Sequence, residues 1–219
     1  MGPIKPELAL PAFQELPCER VPAWATAIKT CLDKTAADPA SRYAQMATVD
    51  TLGKPHLRNL VIRGCLGELT IASTSPNAID FWMVTDQRSS KFHELISQPE
   101  VEVCWYFAEP REQFRLTGMV TMDMVSDSPT RLKAWQSIST QAKVGFYWPK
   151  PLEKRDPFNE KSFQVGQDEM ESANPPESFV VLTLHVTKVD HLILRGDPQN
   201  RYIHSFHPVL GWNQMEVNP

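Results

Sequence analysis

The stretch VEVCWYFAEPREQFRLTGMVTM, residues 101–122, has the features of a β-hairpin. Val101–Phe107 and Gln113–Met122 are rich in residues that favour strands, and Ala108-Glu109-Pro110-Arg111 between them reads as the connecting turn. Similar short runs recur along most of the chain and are separated by turn residues such as Asp50-Thr51-Leu52-Gly53. The sequence therefore predicts a mainly β protein built from antiparallel strands.

Further strands and helices are predicted on both sides of this hairpin. Strands are expected at Tyr43–Val49, His56–Leu66, Leu69–Ser73, Phe81–Thr85, Phe179–His185, His191–Arg195 and Gly211–Val217, and helices at Ala23–Leu32, at Ser89–Gln98 and from Asp127-Ser128-Pro129 onward. Because the strands do not alternate strictly with helices, an antiparallel barrel with attached helices is favoured over a doubly wound sheet. Residues 1–219 are read as one domain, with an extended arm at 1–22 and a long loop at 149–177.

Composition and missing motifs exclude several classes of function. The formal charge of -4 and the pI near 5.9 argue against a nucleic-acid partner, which usually requires a basic excess. The glycines form neither GxGxxG nor a P-loop, and the six histidines include no helical i, i+4 pair, so no metal site is expected. No apolar stretch has the length of a membrane span or of a secretory signal, which predicts a cytoplasmic protein without a membrane partner.

The segment Thr85-Asp86-Gln87-Arg88-Ser89-Ser90-Lys91 combines hydroxyl groups and two cations at the junction of a strand and a helix. A helix N-terminus offers unpaired backbone N–H groups and the positive end of a dipole, which together favour a phosphate. The segment is therefore a candidate phosphate site. The alternative is a capped helix whose charged side chains are simply solvated.

A second feature is Arg58-Asn59-Leu60-Val61-Ile62-Arg63, in which two arginines lie inside an otherwise apolar strand. A guanidinium with apolar neighbours is costly unless it is paired, so at least one of the two should meet an anion. That anion is either a ligand or a carboxylate of the core. Gln113 and Arg115, on one face of the hairpin strand, could add further donors.

Together and in this order, these segments resemble the pyridoxamine 5'-phosphate oxidase family of FMN proteins. Arg58–Arg63 matches the family's RxVxxK motif, and Val84–Lys91 matches its YTxxxSRK motif. Gln113, after Arg111-Glu112, falls at the family's flavin-contacting glutamine, and Asn200-Arg201-Tyr202 resembles its D-R-F motif. The likeness covers roughly Tyr43 to the C-terminus and is greatest to the cyanobacterial and plant-type branch.

The resemblance implies a six-stranded antiparallel split β-barrel of the Greek-key type, which binds FMN at the interface of a homodimer. Arg58, Ser90 and Lys91 would hold the phosphate, and Gln113 and Arg201 would serve the flavin from different chains. The cofactor-binding residues implied in this way are Arg58, Asn59, Leu60, Val61, Ile62, Val84, Thr85, Ser89, Ser90, Lys91, Gln113 and Arg201.

The likeness is weaker at the substrate site. Asp197–Arg201 lacks the Arg and His of the family's RxHDR motif, Leu192 replaces a flavin-contacting Trp, Arg63 replaces the substrate-phosphate lysine and Trp135 replaces the substrate tyrosine. Arg63 and Trp135 are the predicted substrate-binding residues, and no catalytic residue is predicted. The resemblance thus implies an FMN-dependent oxidoreductase of a small substrate. The alternatives are a genuine pyridoxamine/pyridoxine 5'-phosphate oxidase with an altered substrate site and a non-catalytic flavin carrier or sensor.

Overall fold

The structure is a computed structural model that describes residues 21–65, 79–155 and 159–219. The α-helices are α1 (Ala23–Lys34), α2 (Ser90–Ser97), α3 (Pro129–Ser137), α4 (Thr140–Val144) and α5 (Gln167–Glu171), and short 3-10 helices span Pro39–Arg42 and Glu160–Phe163. The strands are β1 (Tyr43–Val49), β2 (Pro55–Val61), β3 (Gly64–Cys65), β4 (Asp80–Asp86), β5 (Glu100–Phe107), β6 (Glu112–Asp123), β7 (Phe179–Ile193), β8 (Asn200–His207) and β9 (Gly211–Val217). None of the helices in the described part of the chain is long and apolar enough to cross a membrane.

All strand pairs are antiparallel, and the strand order is β2-β1-β5-β6-β7-β4-β3, with β8 pairing both β7 and β9. The outermost strands of this path, β2 and β3, are neighbours in sequence. The chain between them is held by hydrogen bonds at both edges, since Ile62 N–H donates to Arg42 O and Arg63 N–H donates to Trp82 O of β4 (2.9 and 3.0 Å). The sheet is therefore curled into a half-barrel, and the predicted split β-barrel is confirmed. In the described residues the sheet has nine strands, which include the two-residue β3 and the terminal hairpin β8–β9.

Strand β7 is one 15-residue strand where the sequence pattern predicted two, Phe179–His185 and His191–Arg195. Its first half pairs with β4 and its second half pairs with β8. Strand β6 pairs with both halves, with a register shift at Thr117/Gly118. The prediction of two strands was wrong because Thr187 and Lys188, which are exposed at this irregularity, interrupt the apolar pattern.

Other element boundaries also differ from the predictions. Strand β8 was missed because its sequence, NRYIHSFH, is mostly polar and half-buried. The predicted strand His56–Leu66 ends at Val61, and the predicted loop at 149–177 contains two short helices. The predicted strand Leu69–Ser73 and nearly all of the predicted N-terminal arm lie outside the described residues. Helices α1, α2 and α3 and the β5–β6 hairpin confirm their predictions.

Helix α1 closes the barrel core through its apolar face. Trp24, Ile28 and Leu32 of this helix are buried, as their four-residue spacing predicted. The Trp24 ring lies 6.2 Å from that of Phe81 on β4 and 5.0 Å from that of Trp212 on β9. A second apolar cluster lies between α3 and the strands β4 and β7. The two apolar clusters thus lie on opposite faces of β4, because Phe81 and Met83 belong to the barrel core and Trp82 to the second cluster.

Candidate functional site

The junction between β4 and α2 is shaped by one turn. Arg88 N–H donates to Asp86 Oδ1 (2.7 Å) and Ser89 N–H donates to Asp86 O (3.1 Å). Ser89 is the N-cap residue of α2, but its hydroxyl donates back to Asp86 O (2.7 Å) and makes no capping hydrogen bond to the helix. The first turn of α2 therefore lacks a side-chain acceptor from its own cap, and its N–H groups are suited to an anion.

Lys91 lies directly beside the hydroxyl groups of this junction. Its Nζ donates to Thr85 Oγ1 (3.2 Å) and to Ser89 Oγ (3.4 Å). Burial lowers the pKa of Lys91, and the positive charge of Arg58 lowers it further. A bound anion would offset both effects, because its negative charge stabilises the ammonium. We define the candidate anion site as Arg58, Thr85, Ser89, Ser90 and Lys91.

Arg58 reaches this site from β2 through Glu94. Arg58 Nη2 donates to Glu94 Oε2 (2.6 Å), and Glu94 lies three residues after Lys91 on α2, so both side chains are on one face of the helix. Arg58 Nη1 donates to Thr48 Oγ1 and to Met46 O. The two segments predicted to meet are therefore brought together. The partner that the sequence left open is in this structure a carboxylate of the core, Glu94.

A concave pocket of about 300 Å³ adjoins β2 and β4. It is lined by Tyr43, Asn59, Leu60, Val61, Arg63 and Val84, so four of the residues predicted to bind the cofactor and one predicted to bind substrate share one cavity. Ile62 is instead buried in the barrel core. A strand edge beside a mostly apolar pocket is suited to a flat ring with a few polar atoms.

Arg63 is a pocket residue with an unpaired hydrogen-bond donor. Among the described residues its Nε is buried without a hydrogen-bond partner. Burial lowers the pKa of Arg63, and the neighbouring charge of Arg42 adds to the effect. A guanidinium in this state would gain from an anionic ligand.

Gln113 and Arg201 do not line this pocket in the same chain. Gln113 on β6 pairs with Tyr106 of β5, which is 47% exposed, while its neighbour Phe114 points into the core. Arg201 on β8 makes a bidentate ion pair with Asp190 (2.9 and 2.7 Å), which lowers the pKa of Asp190.

Trp135 is packed inside the second apolar cluster and offers no polar atom to a ligand. The side chain is 0% exposed, and its indole N–H donates to Ser172 O (2.9 Å). The ring packs edge-on against Phe179 (5.0 Å) and lies under the ammonium of Lys143. The structure therefore gives Trp135 a role in packing, and it does not support the predicted contact with substrate.

Replacing Trp135 with phenylalanine is expected to lower the free energy of unfolding by about 1–2 kcal/mol, because the indole hydrogen bond to Ser172 and part of the packing are lost. Urea unfolding followed by circular dichroism measures the change. The matched control is Trp148→Phe, at a residue that is 39% exposed, for which a change within about 0.5 kcal/mol is expected. Equal stabilities of the two variants would contradict the assigned packing role.

Two residues that contact Arg58 were not predicted from the sequence. Glu94 and Thr48 complete the hydrogen-bond network of Arg58, yet neither belongs to a recognisable motif. The spacing of Glu94 from Lys91 was a usable signal, because residues three apart on a helix share a face.

Arg88, the second cation of its segment, forms an ion pair with Asp86 and donates hydrogen bonds to the carbonyl groups of Phe146 and Trp148. The part of the chain that the structure describes contains no group of His, Cys, Asp or Glu suited to a metal ion.

Comparisons with known proteins define the class of this fold and site. The family model "Pyridoxamine 5'-phosphate oxidase, FMN-binding domain" matches residues 21–123. Pyridoxine/pyridoxamine 5'-phosphate oxidase 2 of Arabidopsis thaliana is 32% identical over an alignment of 189 residues, and the match covers 82% of this chain and 88% of the relative. The molecule is thus an FMN-binding split barrel. The chain belongs to the pyridoxamine 5'-phosphate oxidase-like family, whose cofactor is FMN.

Solved structures agree with this assignment. The crystal structure of a pyridoxamine 5'-phosphate oxidase-related, FMN-binding protein from Nostoc punctiforme PCC 73102 is 34% identical, with a TM-score of 0.77 and coverage of 91% of this chain and 98% of that one. PhzG from Burkholderia lata 383 shares only 15% identity at a TM-score of 0.66, covering 97% and 98% of the two chains. The second likeness shows the fold alone.

Proposed function

We propose that this protein is an FMN-dependent oxidoreductase that acts on a small substrate. The observation that carries the proposal is the meeting of Arg58 and Lys91 beside the start of α2, at the rim of a pocket lined by β2. Two cations and several hydroxyl groups suit the phosphate of FMN, and the adjoining cavity suits its ring. The membership of the chain in an FMN-binding family supports the same ligand.

Each group of the candidate anion site has a distinct task in this proposal. Lys91 and Arg58 supply charge-assisted hydrogen bonds to the phosphate, which are stronger than neutral ones. Thr85 and Ser89 fix the Lys91 ammonium through their hydroxyl groups. Ser90 is exposed at the first position of α2 and can turn its hydroxyl toward the ligand. The site thus selects a phosphorylated flavin over riboflavin.

The remaining pocket residues bind and orient the cofactor ring and the substrate. When bound, FMN supplies the hydride-accepting chemistry of the reaction. Leu60, Val61 and Val84 exclude water from one side of the cavity, and Asn59 offers an amide to a polar ring edge. Arg63 can hold an anionic substrate through its unmet donor. The protein therefore positions the reactants, and no side chain is assigned a proton-transfer role.

Arg63 favours one specific candidate within this class, oxidation of pyridoxamine or pyridoxine 5'-phosphate. A phosphorylated substrate would satisfy the buried Nε of Arg63. The name of the Arabidopsis thaliana relative supports the same substrate. Steady release of peroxide from purified protein supplied with low concentrations of pyridoxamine 5'-phosphate would favour this candidate, and no release would leave another small substrate.

The absorption spectrum of the freshly purified protein tests the proposed function. We expect flavin bands in the blue and near-ultraviolet, and FMN rather than riboflavin on release of the cofactor. Anaerobic titration with NADPH then separates an oxidoreductase from a flavin carrier, since a carrier should be reduced slowly and without selectivity. A colourless protein that does not bind added FMN in calorimetry would end the proposal.

The proposed site is completed by a second copy of the chain. Gln113 on β6 and Arg201 on β8 are not among the residues that line the pocket of the same chain. Large side chains beside the pocket and beside Gln113 are exposed, namely Tyr43 at 50% and Tyr106 at 47%, which suits a covered face in a dimer. A twofold homodimer would place the Gln113 and Arg201 of one subunit against the pocket of the other.

Mixing two defective variants tests the shared site. Lys91→Ala and Arg201→Ala homodimers are each expected to bind FMN weakly, because every site lacks one contact. A mixed dimer, made by coexpression with two affinity tags, has one intact site and one site that lacks both contacts. Its fluorescence titration should therefore recover wild-type affinity at one of two sites. Mixed dimers with two weak sites, or a monomer in sedimentation, would contradict the shared arrangement.

A further inference from the structure

Glu94 places a negative charge inside the candidate anion site. Its Oε2 accepts hydrogen bonds from Arg58 Nη2 (2.6 Å) and from Thr48 Oγ1 (2.5 Å), and its side chain is only 9% exposed. Burial acts to raise the pKa of Glu94, but the hydrogen bonds from Thr48 and Arg58 outweigh it, so that the pKa lies below its ordinary value. Glu94 is therefore ionised at neutral pH.

The charges of the site change the expected affinity for phosphate. Arg58 and Lys91 together carry two positive charges, and Glu94 cancels one of them. A phosphomonoester brings a charge of about −1.5 to −2 at pH 7. A carboxylate close to it repels the incoming anion in a partly desolvated site. Lys91, three residues before Glu94 on α2, is also affected by the Glu94 charge, which raises its pKa against the larger effect of burial.

Glu94 also orients the Arg58 side chain. A guanidinium has five N–H donors, and Arg58 uses its Nη1 on Thr48 and Met46 and its Nη2 on Glu94. Thr48 is buried and connects the two groups, since its hydroxyl accepts from Arg58 and donates to Glu94. The orientation of Arg58 is therefore set by Thr48 and Glu94 of the protein itself.

We propose that Glu94 is a built-in counter-charge that lowers the affinity of the site for the phosphate of FMN. Glu94 competes with the phosphate for Arg58, and its charge keeps bound FMN exchangeable. The inference rests on the proposed function, because it concerns the same site. It assigns to Glu94 a role that opposes cofactor binding, whereas Arg58 and Lys91 promote it.

The variant Glu94→Gln tests this inference. Glutamine keeps the shape and an oxygen that accepts from Arg58 and Thr48, but it removes the charge. We expect the Kd for FMN, measured by fluorescence titration of the full-length protein, to fall about tenfold or more. The Kd for riboflavin, which lacks the phosphate, should change less than twofold. The matched control is Glu216→Gln on β9, an exposed glutamate for which neither Kd should change.

Other outcomes decide against the inference. An FMN affinity of Glu94→Gln that equals or falls below the wild-type value would overturn it, as would equal tightening of riboflavin. If Glu94→Gln does not fold, Glu94→Ala removes the same charge and should tighten FMN in the same direction. If wild-type protein binds no FMN at all, the proposed function fails. Calorimetry with inorganic phosphate then tests Glu94 separately, and equal binding to wild type and Glu94→Gln would refute its role.

Discussion

Replacing both Arg58 and Lys91 with alanine is expected to lower the affinity for FMN by about 1000-fold, since each charge-assisted hydrogen bond contributes about 1.5–3 kcal/mol. Both cations meet in the candidate anion site, and Lys91 has only hydroxyl partners there among the described residues. Fluorescence titration with FMN and riboflavin measures the effect. The loss should be specific to FMN, because riboflavin has no phosphate to lose.

The controls for this pair separate binding from folding. Arg58→Ala leaves the Glu94 carboxylate without its ion-pair partner, so the double variant is compared with Lys91→Met, which removes the ammonium and keeps that pair. Lys133→Met on the exposed side of α3 is the matched lysine control and should bind FMN as the wild type does. Cofactor retention by the double variant at the wild-type level would refute the assigned phosphate contacts.

Replacing Gly118 with alanine is expected to lower the free energy of unfolding by about 3 kcal/mol or more, at the upper end of what overpacking costs. A Cβ on Gly118 would lie 2.1 Å from the backbone oxygen of His185 and 2.9 Å from its carbonyl carbon. Both atoms belong to the backbone of β7, so no side chain can move aside. Gly118 lies at the register shift in the pairing of β6 with β7.

Urea unfolding measures this effect against Gly145→Ala. Gly145 has helical backbone angles, and the nearest side-chain atom to a Cβ there is 4.0 Å away on Trp148. Alanine at Gly145 should be neutral or slightly stabilising. A Gly118→Ala protein as stable as the Gly145→Ala protein would show that the sheet relaxes around the bulge, contrary to expectation.

Local sequence patterns predicted the elements whose apolar faces are regular. The spacing of Trp24, Ile28 and Leu32 was sufficient for α1, because that stripe faces the barrel core. Strand β8 was not predictable in this way, since its polar residues lie half-buried on a twisted hairpin. The continuity of β7 also escaped prediction, because it depends on the partners β4 and β8 rather than on the residues of β7 alone.

The candidate site could be predicted only in part for a similar reason. The order of the motifs placed Arg58 and Lys91 in one site, although 33 positions separate them. Neither motif contains Glu94, and its effect depends on the pairing of β2 with β1 and on the packing of α2 against them. Trp135 illustrates the opposite case. The resemblance placed it at the substrate tyrosine, but its ring packs against Phe179 and its indole N–H donates a hydrogen bond to Ser172 O.

The sharing of β7 between β4 and β8 has a consequence for how the molecule assembles. Strand β4 pairs with β7, which begins about 90 residues later in the chain. Contacts between such distant segments slow folding. During synthesis, β1, β2, β5 and β6 can pair as they emerge, but the β4 side of the barrel closes only after β7 has left the ribosome. Because the candidate anion site follows β4 directly, we expect cofactor loading to be a late event that follows completion of nearly the whole chain.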